Sequence, residues 1–594
     1  MEQGGINPRV YYGAVVEDCR RSVRALSRKS MAVAGLRLLV FVAAFVAVVL
    51  FWHQPAKASM LFVAGMAAFL WLVKFSARIS QLKDSETAKM DWAIGQIAKM
   101  DLNLDGLPDG REYIDAAHDF SFDIDLFGRH SIFSLLNSTV TPFGHGRLAE
   151  WMLHPERIVD EVENRQDAVR ELSGKRDFRL KLAATAWQAN GDSGEIGEIP
   201  DFSIGIVRRV AVWAIVPVFV VLSVLAALGL ISGNVIVYVF LAALIASSLQ
   251  SKRVGRLHEW LSGAVGRLSR YSDLFKAIEE ESFGSQALCA IRSRLSGKSG
   301  GASSATRQLA RYLNNLDQRY NVFGFAILNG FLFWDWRQLN NIDRWMKTYS
   351  KDLEAWKDAI ADMDAFCSLG VFAFNNPDYA YPVCDVDGDV VLEAKNAGHP
   401  LISRELCVRN NVETLRESSF FVVTGANMAG KSTYLRTVAV NYLLAEIGAP
   451  VCAEEMTFSK ASLFTGIRTS DSLAEGASYF FAELSRLEKI VRRAESGERM
   501  FVVLDEILRG TNSADKQKGS LGLVGKLVKL PVAGVIATHD LALGSLAETF
   551  PKQVRNFRFE ADIEGERLTF SYRIRTGVAE NANASFLMKQ MGII

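Results

Sequence analysis

The sequence predicts an α/β P-loop NTPase domain at the C-terminal end, preceded by an all-α body and two transmembrane helical hairpins. Three observations carry this prediction. A short apolar run, Phe420 to Val423, leads into Gly425-x-x-x-x-Gly430-Lys431-Ser432. A second apolar run, Phe501 to Leu504, ends in the carboxylate pair Asp505-Glu506. Finally, 49% of the 594 residues are hydrophobic although 22% are charged, because the apolar residues are gathered into long runs.

The glycine-rich loop has a physical logic. Its glycines let backbone N–H groups curl around phosphate oxygens. The helix that follows, from about Ser432 to Glu446, aims its positive N-terminus at the same anion. Lys431 reaches the β- and γ-phosphates, and the Ser432 hydroxyl ligates Mg²⁺. The nucleotide-binding candidates are therefore Gly425, Ala426, Asn427, Met428, Ala429, Gly430, Lys431, Ser432 and Thr433, together with Asp505. Ser432 and Asp505 are the candidate Mg²⁺ ligands, with ATP as the nucleotide. Glu506 is placed to polarise the attacking water as general base. Val535 to Thr538 reads as another strand, and His539 at its end suits a γ-phosphate sensor at the carboxyl edge of a parallel sheet. Glu506 and His539 are the catalytic candidates. A lone His is more often structural, but this one shares a domain with the loop and the Asp-Glu pair.

Upstream, the apolar runs organise the chain. Met31 to Trp52 is apolar apart from Arg37, His53 to Lys57 is a turn, and Ala58 to Val73 is apolar again. Val210 to Ile231 and Val235 to Leu249 repeat the arrangement around Ser232 to Asn234. These read as four spans, at about 31–52, 58–75, 210–231 and 235–249, forming two hairpins. Lys and Arg flank the outer ends and are nearly absent from the turns, which places the N-terminus and the nucleotide domain on the cytoplasmic side of a bacterial-type inner or plasma membrane. A buried hairpin of a large soluble protein is the competing reading for the second pair.

The boundaries that follow are 1–80 for the basic N-terminus and first hairpin, 81–117 for a helical linker and 118–206 for a first helical part. The second hairpin occupies 207–250, a second helical part 251–395 and the ATPase domain 396–594. Trp334, Trp336, Trp345 and Trp356 fall at helical spacing and read as core rather than as stacking platforms for bases. Arg292, Arg294, Lys298, Arg307 and Arg311 read equally as a solvated helix face or as phosphate contacts. A formal net charge of +1 gives no global attraction to nucleic acid or acidic lipid. Six scattered cysteines without a CxxC indicate neither a zinc site nor a disulfide framework.

Together the stretches TGANMAGKSTYLRTVA, Ser470 to Phe480, VVLDEILRGTNSAD and ATHDLAL resemble the MutS family of ATPases, best known from DNA mismatch repair. The resemblance covers 396–594, and a weaker one from Asp123 to Leu172 resembles the start of the MutS core, or lever, domain. It implies that Gly476 and Ser478 reach across a homodimer to the partner's nucleotide, so that hydrolysis requires dimerisation. It also implies that Leu406 to Val408 flank adenine, where the family tends to use an aromatic and this chain has none. Other departures are Ala429 where the family usually has Gly, no Phe-x-Glu wedge before His118, no stretch large enough for a DNA clamp, and a chain that stops at Gly592-Ile-Ile without the family's helical extension. The layout resembles a membrane-anchored MutS-related subgroup.

Three functions are compatible with these residues. The first is a membrane-anchored MutS-type ATPase whose cycle is coupled to mismatched or branched DNA. The second is an ATP-driven switch at the membrane with a protein partner and no DNA binding. The third, a transporter, has least support: no LSGGQ signature occurs, and the spans carry no acidic residue to mark a pathway.

Overall fold

The computed structural model describes residues 6–157, 161–189, 205–297, 300–386, 388–426, 428–468, 479–508, 512–564 and 567–579. Helices occupy the chain as far as Asn375, and an α/β unit follows. Its strands are β1 (Val383–Cys384), β2 (Val390–Ala397), β3 (Asn410–Arg416), β4 (Phe420–Gly425), β5 (Glu455–Phe458), β6 (Ser462–Gly466), β7 (Met500–Asp505), β8 (Val532–Thr538), β9 (Val554–Glu564) and β10 (Arg567–Thr576).

Six of them form one sheet in the order β10-β9-β4-β8-β7-β6, parallel except for the antiparallel β10. Every residue of β4, β7 and β8 is buried. Continuous apolar strands are what a parallel sheet covered on both faces requires. The remaining four form a mixed sheet, β1-β5-β2-β3. The helix Lys431–Glu446 lies between the sheets, touching β2 on one side and β7 and β8 on the other. This burial on all sides explains why its sequence shows no amphipathic stripe. Because β4 lies between β8 and β9, the helix after β4 starts at a carboxyl-edge crossover of the sheet, where α/β folds receive ligands.

The long apolar runs are helical. Pro8–Leu50 and Pro55–Met100 are two continuous helices packed against each other, joined by a turn at residues 51–54. They approach closely where Gly65 faces Ala44: a Cβ on Gly65 would lie 2.6 Å from the Ala44 Cβ. Small residues at such a crossing let helix backbones approach closely. The second helix runs unbroken to Met100, well past the 58–75 run and across the boundary expected at 80. The reason is local: residues 76–100 contain neither Gly nor Pro apart from Gly95, so no breaker interrupts the helix until it ends at Met100, just ahead of Leu102 at φ 53°. At its foot Tyr12 packs edge-on against Trp92 and Phe374, the last of these near the end of the long helix Leu353–Asn375.

The second pair is Ile206–Ala227 and Asn234–Ser248. Among the described residues three helices are long and apolar enough to cross a membrane: Pro8–Leu50, Pro55–Met100 and Ile206–Ala227. The fourth expected span, 235–249, does not stand alone. Its helix has 15 residues, and it reaches spanning length only if joined to Ser251–Leu261 across a 52° bend. Four straight spans are therefore not what the chain forms. The break falls at residues 249–250, just before the charges Lys252, Arg253 and Arg256.

Trp336, Trp345 and Trp356 are buried, as core packing demands. The basic residues nearby are used structurally: Arg294 binds Asp362 at 2.7 Å, and Arg292 donates to the Glu281 carbonyl at 3.0 Å.

Candidate functional site

The site grows out of the turn after β4. Gly425 and Gly430 both hold positive φ, at 149° and 105°. A Cβ on Gly425 would lie 2.5 Å from the Phe559 carbonyl oxygen, and one on Gly430 would lie 3.1 Å from the Tyr572 ring. Both positions exclude a side chain, for conformation and for space. Gly430 caps the helix Lys431–Glu446, whose first N–H groups open toward the turn.

Five polar side chains meet at this helix start. The buried Lys431 Nζ donates to the Gly425 and Ala426 carbonyls at 2.6 and 3.0 Å, and lies 3.4 Å from His539 Nε2. The Ser432 hydroxyl donates to Asp505 Oδ2 at 2.6 Å. Asp505 ends β7, and the next residue, Glu506, turns with φ 50°. This turn sets Glu506 Oε1 2.6 Å from His539 Nε2, just beyond the end of β8. Burial, followed by the charge of Lys431, pushes the His539 pKa below its ordinary value, against the opposing pull of Glu506 and Asp505.

A cavity of about 480 Å³ opens in front of these groups. Gly430, Lys431, Ser432, Thr433 and Glu506 line one end, and Leu406, Val408 and Met428 an apolar side. The aromatic missing from 406–408 enters from elsewhere, because Tyr572 of β10 also lines the cavity. Tyr572 sits at φ 52° inside a register shift of the β9–β10 hairpin. Asn410 clasps both sides of that bulge, donating to the Tyr572 carbonyl and accepting from the Ile574 N–H, each at 2.9 Å. A bulge of this kind re-aims a side chain. No local sequence pattern marks Tyr572; its role depends on a hairpin that returns beside β4.

Of the sequence candidates, Gly425, Ala426, Met428, Gly430, Lys431, Ser432, Thr433, Asp505, Glu506 and His539 converge here. Ala429 is buried beneath the turn. Asn427, Gly476 and Ser478 lie outside the described residues. Chemically the cluster offers a cation, a helix N-terminus and a hydroxyl–carboxylate pair to an anion, beside a carboxylate–imidazole pair able to hold a proton.

The α/β unit is fixed to the helical body by buried charge. Asp123 is fully buried and accepts from the Thr465 hydroxyl at 2.7 Å, the Arg468 N–H at 2.9 Å and Arg486 at 3.3 Å. Asp125 pairs with Arg468 at 2.6 Å and with Arg436, on the helix after the loop, at 3.2 Å. Asp119 binds both Lys489 and, at 2.6 Å, Arg493. Sequence reading took this stretch as the start of a helical segment that resembles a core domain, without these ion pairs.

The molecule is thus an all-helical region followed by an α/β domain of mixed sheets, with a convergent polar cluster at the carboxyl edge of the larger sheet. Residues 118–193 match the family model MutS domain III, and residues 421–590 match MutS domain V. Curated relatives agree. The DNA mismatch repair protein MutS of Persephonella marina is 34% identical over 213 residues, covering 35% of this chain and 24% of that protein. Its counterpart in Carboxydothermus hydrogenoformans is 31% identical over 252 residues, covering 41% and 29%. That of a Thermotoga species is 32% identical over 251 residues, covering 42% and 31%. With both domains present in order, the chain belongs to the MutS family, while the matched part spans less than a third of each of these relatives.

Proposed function

We propose that this chain is a membrane-anchored MutS-type ATPase that binds and hydrolyses ATP at a site completed by a second copy of itself. The observation that carries the proposal is the convergence of Lys431, Ser432, Asp505, Glu506 and His539 around one helix start beside a cavity of nucleotide size. The residues present fit ATP and Mg²⁺: Gly425 and Gly430 leave a cradle that a Cβ would fill, and a hydroxyl already bonded to a carboxylate is a fitting donor set for a hard cation.

Lys431 exchanges its carbonyl partners for the β- and γ-phosphates, and Ser432 and Asp505 hold the metal. Mg²⁺ when bound neutralises charge on the phosphates. Glu506 accepts the proton of the attacking water. His539, 2.6 Å from Glu506, orients that carboxylate and would meet the γ-phosphate. Tyr572 offers its ring face to the base against Leu406 and Val408. Gly476 and Ser478 serve the partner's nucleotide, as the family resemblance implies.

The long apolar helices support anchoring in a bacterial-type inner membrane, with the nucleotide domain cytoplasmic. The names of the relatives support coupling of the ATP cycle to DNA. The formal net charge of +1 favours the other reading, a switch whose partner is a protein. Purified full-length protein in detergent tests the core claim: Lys431→Ala abolishes nucleotide binding measured by equilibrium dialysis. Unchanged ATP affinity in this variant would sink the assignment.

A further inference from the structure

The helix Val322–Leu332 belongs to none of the four expected spans, yet no charged side chain occurs from residue 321 to residue 334. Its outward stripe is Phe323, Ile327 and Phe331, spaced by four residues and so on one face. Phe323 is 82% exposed and Ile327 57%. Its polar residue turns inward: Asn329 is buried, accepts from the Asp335 N–H at 3.0 Å and donates to the Asp335 carboxylate at 3.3 Å. A surface helix of a soluble protein shows the opposite arrangement.

Its neighbours fix its depth. Phe331 packs against Phe219 and Phe240, ring centroids 5.0 and 4.8 Å apart, one from each helix of the second apolar pair. Gly330 presses onto the Phe240 ring so closely that a Cβ could not be accommodated. Phe219 lies ten residues beyond Arg209 on the same helix, which at 1.5 Å per residue is about 15 Å from that basic flank, and Phe240 lies eight residues before the end of its own helix at Ser248, about 12 Å. Half of a bilayer's hydrocarbon thickness is about 15 Å. At the opposite end, Arg319 donates to the Ser251 carbonyl and hydroxyl at 2.8 and 2.7 Å, next to Lys252 in the chain. Eleven residues make about 16 Å of helix, enough to cross one leaflet and no more. The left-handed turn at Phe333, with φ 48°, then sends the chain into the helix Trp334–Tyr349, where Trp336 meets Arg208 of the basic flank.

We propose that Val322–Leu332 is a re-entrant membrane segment that enters the cytoplasmic leaflet beside the second hairpin and returns, with Phe323, Ile327 and Phe331 facing acyl chains. This rests on the reading of Ile206–Ser248 as membrane-spanning, and the two are tested separately. A dansyl-bearing residue replaces Ile327, or Phe323 as a second variant, in the full-length chain. Matched labels replace Val220 in the apolar pair and Val386 on the nucleotide domain, both exposed. The protein is reconstituted in phosphatidylcholine–phosphatidylglycerol vesicles carrying nitroxide on the acyl chains. The expected result is loss of fluorescence at 327 and 323 comparable to that at 220, with no loss at 386. Quenching at 220 without quenching at 327 and 323 overturns the inference and leaves the hairpin intact. If 220 is no more quenched than 386, the membrane reading fails and the inference with it.

Discussion

At the scale of single residues, the site shows how few groups the proposed chemistry needs and how differently they announce themselves. Gly425, Gly430, Lys431 and Ser432 were legible because spacing within one turn determines their task. Asp505, Glu506 and His539 were legible because each stands at the end of an apolar run, and parallel strands bring their carboxyl ends together. Tyr572 was not, since its aim depends on the Asn410 clasp across a bulge. Replacement of Glu506 by Gln keeps ATP binding and slows hydrolysis at least ~10²-fold, read from phosphate release in single-turnover experiments. A second residue-scale effect concerns His399, just after β2. Burial, then the charge of Arg436, lowers its pKa to about 4, and its Nδ1 accepts from the Leu401 N–H at 3.3 Å. In the unfolded chain it titrates near ~6.5. Stability is then complete above about pH 6.5 and declines as pH falls toward about 4, by up to about 3 kcal/mol. Denaturant titrations at a series of pH values reveal that slope, and His399→Gln flattens it.

At the scale of elements, the junction between the segment 118–125 and the α/β domain is a row of three acidic residues, each holding basic groups of the other unit. Three of those groups, Arg486, Lys489 and Arg493, lie on the helix Tyr479–Glu495, and a fourth, Arg436, on the helix that starts at the loop. Any shift of these helices therefore pulls on the helical body. Asp123→Ala leaves buried donors without their carboxylate and costs about 3–5 kcal/mol in the stability of the full-length protein, measured by urea denaturation. A cost below about 1 kcal/mol is the outcome that dismisses this junction as a structural tie. These pairings could not be read from sequence, because ion pairs between remote segments leave no periodic trace. The same reason hid the bend at residues 249–250: apolar composition signals a helix of spanning length, whereas the direction of the chain is set by packing.

At the scale of the whole molecule, sequence reading recovered the order of parts, helical body before α/β domain, and the positions of the apolar runs. The helix Pro55–Met100 carries the chain without interruption from the first apolar pair into the stretch read as a helical linker. The choice between a DNA-coupled ATPase and a protein-partnered switch is also a whole-molecule matter. With a net charge of +1, any DNA contact relies on local Lys and Arg groups releasing counterions from phosphates. Binding to duplex, junction or single-stranded DNA then weakens steeply between about 50 and 200 mM salt, as fluorescence anisotropy of the solubilised protein records. No binding to any of these DNAs at low salt decides for the protein partner.

The uninterrupted helix has one more consequence. From Val73 to Met100 it runs about 40 Å from the apolar run into the helical body, where its last turns are packed. Under the proposed anchoring and pairing, two copies in one bilayer would search for each other by diffusion in a plane, at a common height and with related orientation. Their encounter follows the number of molecules per area of membrane rather than per volume of cytoplasm, an effective concentration gained without any added contact. Pairing of the nucleotide sites then becomes a property of how densely the membrane is populated.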